Sequence, residues 1–125
     1  MVNSFSKILE IEISNASSYR KVYETLISSL SSSPSYITIN NVHTVVEGVV
    51  NKKYREVINH SFLALPDGKP LSLVAKLKGE KNISRIFGPT FIEKTIEWGK
   101  KDSIKHFLWQ QRRKHLKFLK TYRTS

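Results

Sequence analysis

The sequence contains no cysteine, which excludes disulfides, thiolate metal sites and cysteine nucleophiles and fits a reducing compartment. It also lacks a long apolar run, because no stretch approaches the roughly 20 apolar residues that a membrane-spanning helix needs. The first residues show no basic region followed by an apolar stretch, so a secretory signal is not expected. Glycine-rich phosphate loops are missing too, which disfavours the usual dinucleotide and nucleoside-triphosphate sites.

Acidic residues are scarce: the chain has 10 against 21 basic ones, for a net charge of +11. The imbalance is uneven, since residues 1–99 hold 12 basic and 9 acidic residues and residues 100–125 hold 9 and 1. The body therefore resembles an ordinary folded domain, with room in 125 residues for one modest core. The basic end, 109–120, has two interpretations: it contacts phosphates of nucleic acid or anionic lipid, or it is a solvated terminus.

Short segments rich in β-branched residues, or with alternating apolar and polar residues, alternate along the chain with segments of amphipathic helical spacing. We expect strands at 8–13, 36–39, 62–65, 83–87 and 104–108. Helices are expected at 19–30, 42–50, 54–59, 70–77 and 90–98, with Asn15 or Ser17 capping the first. The alternation predicts an α/β layered fold with a mostly parallel sheet, in which ligands bind beyond the carboxyl ends of the strands.

Polar residues stand at those strand ends. Asp67 follows an apolar strand and precedes a helix, a position suited to a general base. Pro66-Asp67-Gly68 is equally typical of a plain turn. Asn40, Asn41 and His43 follow another strand and suit hydrogen bonds to sugar hydroxyls or a uracil ring, although the asparagines also suit helix capping. The histidines show no ligand spacing with carboxylates, so no metal site is expected.

Four segments occur in the order of one known pattern. The first strand of the WecG/TagA/CpsF glycosyltransferases resembles Ile8 to Ile13. Their Asn-Val-His segment resembles Ile37-Thr38-Ile39-Asn40-Asn41-Val42-His43, and their next block resembles Tyr54 to Asn59 with Leu63 to Leu71. Arg85-Ile86-Phe87-Gly88-Pro89 resembles their arginine-to-glycine-proline element. The resemblance covers residues 8 to about 107. It implies a partial Rossmann-like fold whose C-terminal half is missing.

The resemblance also implies a function. Members transfer a hexose, such as N-acetylmannosamine, from a UDP-sugar to a polyprenyl-pyrophosphate-linked acceptor with inversion, and so build teichoic acids or exopolysaccharides. By resemblance Asp67 is the general base, and Thr38, Asn40, Asn41 and His43 line the substrate pocket. Arg85, Gly88 and Pro89 belong to the same pocket. No cofactor or metal is implied. The expected location is cytoplasmic, at the inner face of the membrane.

The family pattern ends before the chain does. We interpret residues 1–107 as the N-terminal part of such a transferase and residues 108–125 as a basic tail. One set of codons for Leu108 to Lys114, read one base later, encodes tyrosine-glycine-serine-lysine-glutamate-glutamate, which resembles the family's loop. We therefore expect a shifted frame after about Phe107 and an inactive short chain. A partial sheet would expose an unpaired edge and apolar faces, which predicts poor solubility or self-association. The alternative is a small basic protein that binds nucleic acid or anionic membranes; nucleic acid is the less favoured partner.

Overall fold

The structure is a computed structural model that describes residue 2 and residues 4–109. The chain divides into two compact units, Met1–Phe91 and Ile92–Ser125. The strands are β1 (Phe5–Ile8), β2 (Ile11–Ser14), β3 (Ile37–Asn40) and β4 (Leu63–Pro66). The helices are α1 (Tyr19–Ser29), α2 (Val42–Val50), α3 (Lys52–Asn59), α4 (Lys69–Leu77) and α5 (Gly88–Lys101). No helix within the described residues is long and apolar enough to cross a membrane.

The segment expected to form one strand at 8–13 forms an antiparallel hairpin instead. β1 pairs with β2, with Ile8 opposite Ile11. Leu9 and Glu10 make the turn at φ values of 48° and 69°. Both central residues of a tight two-residue hairpin turn take positive φ, which neither residue type favours. Tertiary contacts compensate, because Glu10 binds Arg55 at 2.7 Å and its carbonyl accepts from Asn59 Nδ2.

The two strands expected at 36–39 and 62–65 are confirmed within one residue, and they pair in parallel. Ile37 lies opposite Leu63 and Asn40 lies opposite Pro66. The hairpin lies beside this pair, because the Ser14 hydroxyl accepts a 2.9 Å hydrogen bond from the buried Ala64 N–H. Parallel strands joined by helices confirm the expected α/β class, and the layering is Rossmann-like.

Alternate residues of the parallel pair face two separate cores within the first unit. One core joins Ala64 to residues of the hairpin, of α2, α3 and α4, and of the segment after α4: Ile8, Ile11, Ile13, Val45, Ile58, Leu71, Ala75 and Ile83. The other core joins Leu63 and Leu65 to Ala16, Val22, Ile86 and Phe91. Helices therefore cover both faces of the strands. Gly48 belongs to α2, and a Cβ there would lie 2.7 Å from Ile11 Cδ1, so its lack of a side chain lets the helix approach.

Three local expectations are wrong. Ser18, rather than Asn15 or Ser17, caps α1 by accepting from the Lys21 N–H. No strand forms at 83–87, because the N–H groups of Ser84 and Ile86 donate to two different segments, at Ala16 and Pro66, and no ladder can continue. No strand forms at 104–108 either.

The reason for the last difference lies in the second unit. Ser103 adopts a φ of 58° after α5, and the Ile104 N–H turns back to donate to the Gly99 carbonyl at 2.8 Å. The His106 ring packs so closely on Gly99 that any side chain at that position would clash with it. Residues 104–108 are thus used to close the helix end, and their backbone does not extend as a strand.

Candidate functional site

The carboxyl ends of β3 and β4 lie side by side and place polar residues in one group. Asp67 follows β4 directly, and its N–H donates to the Asn40 carbonyl at the end of β3, at 2.7 Å. This bond extends the parallel pairing by one residue, so it fixes where the Asp67 side chain begins. The site therefore forms where an α/β sheet ordinarily binds its ligands.

The Asp67 carboxylate is held by very few protein groups. Its side chain is 22% exposed, and Oδ1 is buried without a hydrogen-bond partner. Arg85 Nε donates to the Asp67 backbone carbonyl at 2.8 Å and lies 3.7 Å from Oδ1, too far for a hydrogen bond to the carboxylate. Burying a carboxylate oxygen without a hydrogen-bond donor costs free energy, unless a ligand supplies the donor. The arrangement leaves Oδ1 able to accept a proton or a hydrogen bond.

Two features that carry positive charge lie next to this carboxylate, the Arg85 side chain and the start of α5. The Arg85 side chain is 44% exposed, and its guanidinium carbon stands 4.8 Å from the centre of the Phe87 ring. Gly88 begins α5, and a Cβ there would lie 3.7 Å from Asp67 Oδ2 and 3.4 Å from Ile39 Cδ1. The carboxylate is thus next to a helix N-terminus, which carries partial positive charge. An anionic ligand beside Asp67 would meet both the guanidinium and this helix end.

Asn40 is almost fully buried, with 1% of its surface exposed, and anchors a small network. Its Nδ2 donates to Thr38 Oγ1 at 2.9 Å, and its Oδ1 accepts from Thr44 Oγ1 at 3.3 Å. Thr38 Oγ1 also lies 3.4 Å from Ser61 Oγ. The polar groups of Thr38 and Asn40 therefore form hydrogen bonds within the protein, and these bonds stabilise the end of β3.

Asn41 forms the cap that the residue type suggested. Its side chain accepts from the Thr44 N–H at 3.0 Å, while the Asn41 N–H donates to Thr44 Oγ1 at 2.9 Å. This reciprocal cap starts α2. Gly68 caps α4 without a side chain, and a Cβ there would lie 3.9 Å from the Asn41 Cα. The starts of α2 and α4 therefore adjoin at the same edge as Asp67.

The structure brings most of the expected site residues together. Asn40, Asn41, Asp67, Arg85 and Gly88 form what we call the carboxyl-edge cluster. Pro89 lies half-buried in the first turn of α5, next to Gly88. Thr38 lies further down β3, and His43 is exposed on the first turn of α2. Within the described part of the chain, no hydrogen bond joins His43 to the cluster.

Thr44 and Ser61 are the supports that sequence reasoning did not identify. Thr44 stands three residues after Asn41, which is the spacing of a capping box and could have been recognised. Ser61 lies in a loop 23 residues from Thr38, and no local pattern connects the two. Their hydroxyls link the network around Asn40 to α2 and to the loop before β4.

Cavities also lie elsewhere in the described part of the first unit. One of about 180 Å³ is polar and is lined by Asn15, Lys21, Glu80 and neighbouring residues. Another of about 240 Å³ is lined by Phe5, Ser14, Phe62 and neighbouring residues. Neither cavity shares a lining residue with the carboxyl-edge cluster. Among the described residues, no three histidine, aspartate or glutamate side chains come together as metal ligands.

Comparison with known proteins gives one result. The model of the Glycosyl transferase WecG/TagA/CpsF family matches residues 6–121. No curated protein sequence and no solved structure matches the chain. The matched range extends past residue 107 and includes part of the basic segment. Residues 110–125 lie outside the described residues, so the domain boundary, the shifted frame and the basic-tail alternative stay predictions.

Proposed function

This chain belongs to the WecG/TagA/CpsF glycosyltransferase family, and from that premise we propose the reaction that its carboxyl-edge cluster serves. The proposed donor is a UDP-sugar that carries N-acetylmannosamine or another hexose. The proposed acceptor is a hydroxyl of a polyprenyl-pyrophosphate-linked sugar at the inner face of the cell membrane. The product is an intermediate of cell-surface polysaccharide or teichoic acid. The observation that carries the proposal is the Asp67 carboxylate, whose buried Oδ1 has no hydrogen-bond partner in the structure.

In the proposed step, Asp67 accepts the proton of the acceptor hydroxyl while the hydroxyl oxygen attacks the anomeric carbon of the donor. A carbon–oxygen bond forms on one face of the sugar as the bond to UDP breaks on the other. The electron pair of the breaking bond leaves with the UDP diphosphate, and the anomeric centre is inverted. A carboxylate positioned in this way contributes a rate factor of about 10² to 10⁴ as a general base.

Arg85 and Gly88 of the cluster are proposed to hold the donor. The exposed guanidinium of Arg85 and the N-terminus of α5 would stabilise the charge that builds on the leaving diphosphate. Asn40 and Asn41 would keep the strand end in place, and the pocket would include Thr38, His43 and Pro89. No metal or cofactor takes part in the proposed step.

The experiment compares the wild-type chain with Asp67→Asn, and with Glu56→Gln as the matched control. Glu56 is exposed on α3, so its substitution tests for a nonspecific effect of losing one carboxylate. Transfer is followed with a panel of UDP-hexoses and a soluble lipid-linked acceptor, and UDP binding is followed by calorimetry. Where the wild type transfers sugar, we expect Asp67→Asn to lower transfer about 100-fold or more while UDP binding changes little, and Glu56→Gln to leave both unchanged.

The same measurements test the expected inactivity of the short chain. UDP binding by the wild type without transfer supports the proposed donor site and the expected lack of transfer. If UDP does not bind, the proposal that the cluster holds a UDP-sugar donor is wrong. If the wild type transfers sugar and Asp67→Asn transfers it equally fast, Asp67 is not the base.

A further inference from the structure

One exposed aromatic side chain stands beside the carboxyl-edge cluster. Phe87 directly precedes α5, and 40% of its surface is exposed. Its neighbour Ile86 is fully buried in the second core, whereas Phe87 is a member of neither core that the described residues form. An aromatic ring stabilises a fold mainly through the apolar area that it buries. Folding therefore accounts for Ile86 but not for an exposed ring at position 87.

Two backbone hydrogen bonds fix the place of this ring. The Ile86 N–H donates to the Pro66 carbonyl at 2.7 Å, and the Phe87 N–H donates to the Tyr19 hydroxyl at 3.1 Å. Pro66 directly precedes Asp67, so the segment that carries the ring is tied to the strand end that carries the carboxylate. The backbone of Phe87 thus has a defined position relative to Asp67, and this position does not depend on the ring.

The ring lies against the guanidinium of Arg85. Arg85 Cζ is 4.8 Å from the ring centre, within the range of about 6 Å for a cation–π contact. Arg85 Nε donates to the Asp67 backbone carbonyl at 2.8 Å. The guanidinium is therefore held both by Nε and by its contact with the ring. No described residue accepts a hydrogen bond from its two Nη groups, which can still donate to a ligand.

This contact also keeps Arg85 apart from the carboxylate. Arg85 Nε is 3.7 Å from Asp67 Oδ1, and an N–H···O hydrogen bond measures about 2.9 Å. A movement of less than about 1 Å would therefore join the guanidinium and the carboxylate. That bond would use the proposed base and the proposed diphosphate-binding cation on each other. The ring restrains the movement, because leaving it costs the guanidinium the cation–π contact.

We propose that Phe87 is a positioning residue, whose ring holds the Arg85 guanidinium off Asp67 and ready to bind the donor diphosphate. The inference rests on the proposed function, since the diphosphate is the ligand. An arginine that is ordered before the ligand arrives loses less rotational freedom on binding, so the ring raises the affinity for the anion. At a partly exposed site, losing a cation–π contact should weaken binding about two- to fivefold.

The experiment compares two substitutions at one position. Phe87→Leu removes the ring but keeps an apolar side chain, and Phe87→Tyr keeps the ring. Phe62→Leu is the matched control, because Phe62 is 41% exposed and lines a cavity that shares no residue with the cluster. Calorimetry on the full chain measures the Kd of UDP and of inorganic pyrophosphate. Phe87→Leu should raise both values about two- to fivefold, whereas Phe87→Tyr and Phe62→Leu should bind like the wild type.

A second measurement needs no ligand. Hydrogen exchange of the Arg85 Nε–H is followed by NMR, and its signal is identified by its loss in Arg85→Lys. Phe87→Leu should speed this exchange at least twofold, because the guanidinium then leaves the Asp67 carbonyl more often. Phe87→Tyr and Phe62→Leu should leave the rate unchanged. Both phenylalanines are partly exposed, so circular dichroism should show native helix content in every variant.

Several results would overturn the positioning role. These are undiminished UDP affinity in Phe87→Leu, a loss that Phe87→Tyr shares, or an unchanged exchange rate of the Arg85 Nε–H. A loss of affinity for UDP but not for pyrophosphate would mean that the ring contacts the uracil instead. If the wild type binds no UDP, the proposed function fails, and the exchange rates of the free chain still decide whether Phe87 holds the guanidinium. The two failures are therefore distinguishable.

Discussion

Replacing Asn40 with alanine tests whether the network under the candidate site holds the end of β3. The change removes a hydrogen bond to Thr38 Oγ1 at 2.9 Å and one from Thr44 Oγ1 at 3.3 Å, both at a residue that is 1% exposed. Each such bond contributes about 1 kcal/mol net. Thr44 keeps its bonds to Asn41, and Thr38 keeps Ser61 nearby, so neither hydroxyl loses every partner. We expect the free energy of unfolding to fall by about 2 kcal/mol.

The assay is urea unfolding followed by circular dichroism. Asn41→Ala is the matched control, because it removes an exposed cap and should cost about 1 kcal/mol. Thr38→Val should cost about 1 to 3 kcal/mol, since it leaves the buried Asn40 Nδ2 without its acceptor. Combined with Asn40→Ala it should show a coupling of about 1 kcal/mol, because both single variants lose the same bond.

Two results would refute this reasoning. The first is a cost for Asn40→Ala no larger than that of Asn41→Ala, which would mean that the buried amide contributes no more than an exposed helix cap. The second is strict additivity of Asn40→Ala and Thr38→Val. In contrast, UDP binding should persist in Asn40→Ala at low urea, because the Asp67 N–H donates to the backbone carbonyl of residue 40 and this bond survives the substitution.

Two further changes separate structure from function. Ser14→Ala leaves the buried Ala64 N–H without an acceptor and should lower the free energy of unfolding by about 1 to 3 kcal/mol. The control, Ser28→Ala on the surface of α1, should be nearly neutral. Equal effects of the two changes in urea unfolding would contradict the link between the hairpin and the parallel pair. Gly88→Ala adds a methyl group 3.7 Å from Asp67 Oδ2 and should weaken UDP binding with little loss of stability. If calorimetry shows undiminished affinity for UDP, the donor does not bind at this helix start.

The family assignment has a bearing on the first residues of the chain. The matched range begins at residue 6, within β1. β2 then brings the Ser14 hydroxyl to the backbone of β4, three residues before Asp67. A segment distant from the cluster in sequence therefore helps to hold the strand that presents the proposed base. This explains how a substitution in the hairpin could lower activity without contact to a substrate.

The sequence by itself determined the α/β class, the positions of β3, β4 and the helices, and the place of Asp67 at a strand end. These features depend on local patterns: β-branched runs for strands, apolar spacing of three and four for helices, and a Pro-Asp-Gly break after Leu65. Asn41 as a helix cap was foreseeable for the same reason, because a cap interacts only with the next turn.

Only the tertiary structure decided the hairpin at Leu9 and Glu10, the irregular path of 83–87 and the fate of 104–108. In each case a hydrogen-bond partner outside the segment outweighs local propensity. Arg55 and Asn59 bind Glu10 in the hairpin turn. The N–H groups of Ser84 and Ile86 donate to the carbonyls of Ala16 and Pro66, and the Ile104 N–H donates to the Gly99 carbonyl. Whether a buried polar side chain finds a hydrogen-bond partner is likewise decided by the tertiary structure. That Asp67 Oδ1 lacks a hydrogen-bond partner depends on where Arg85 reaches across 18 residues of chain, and no local pattern encodes that distance.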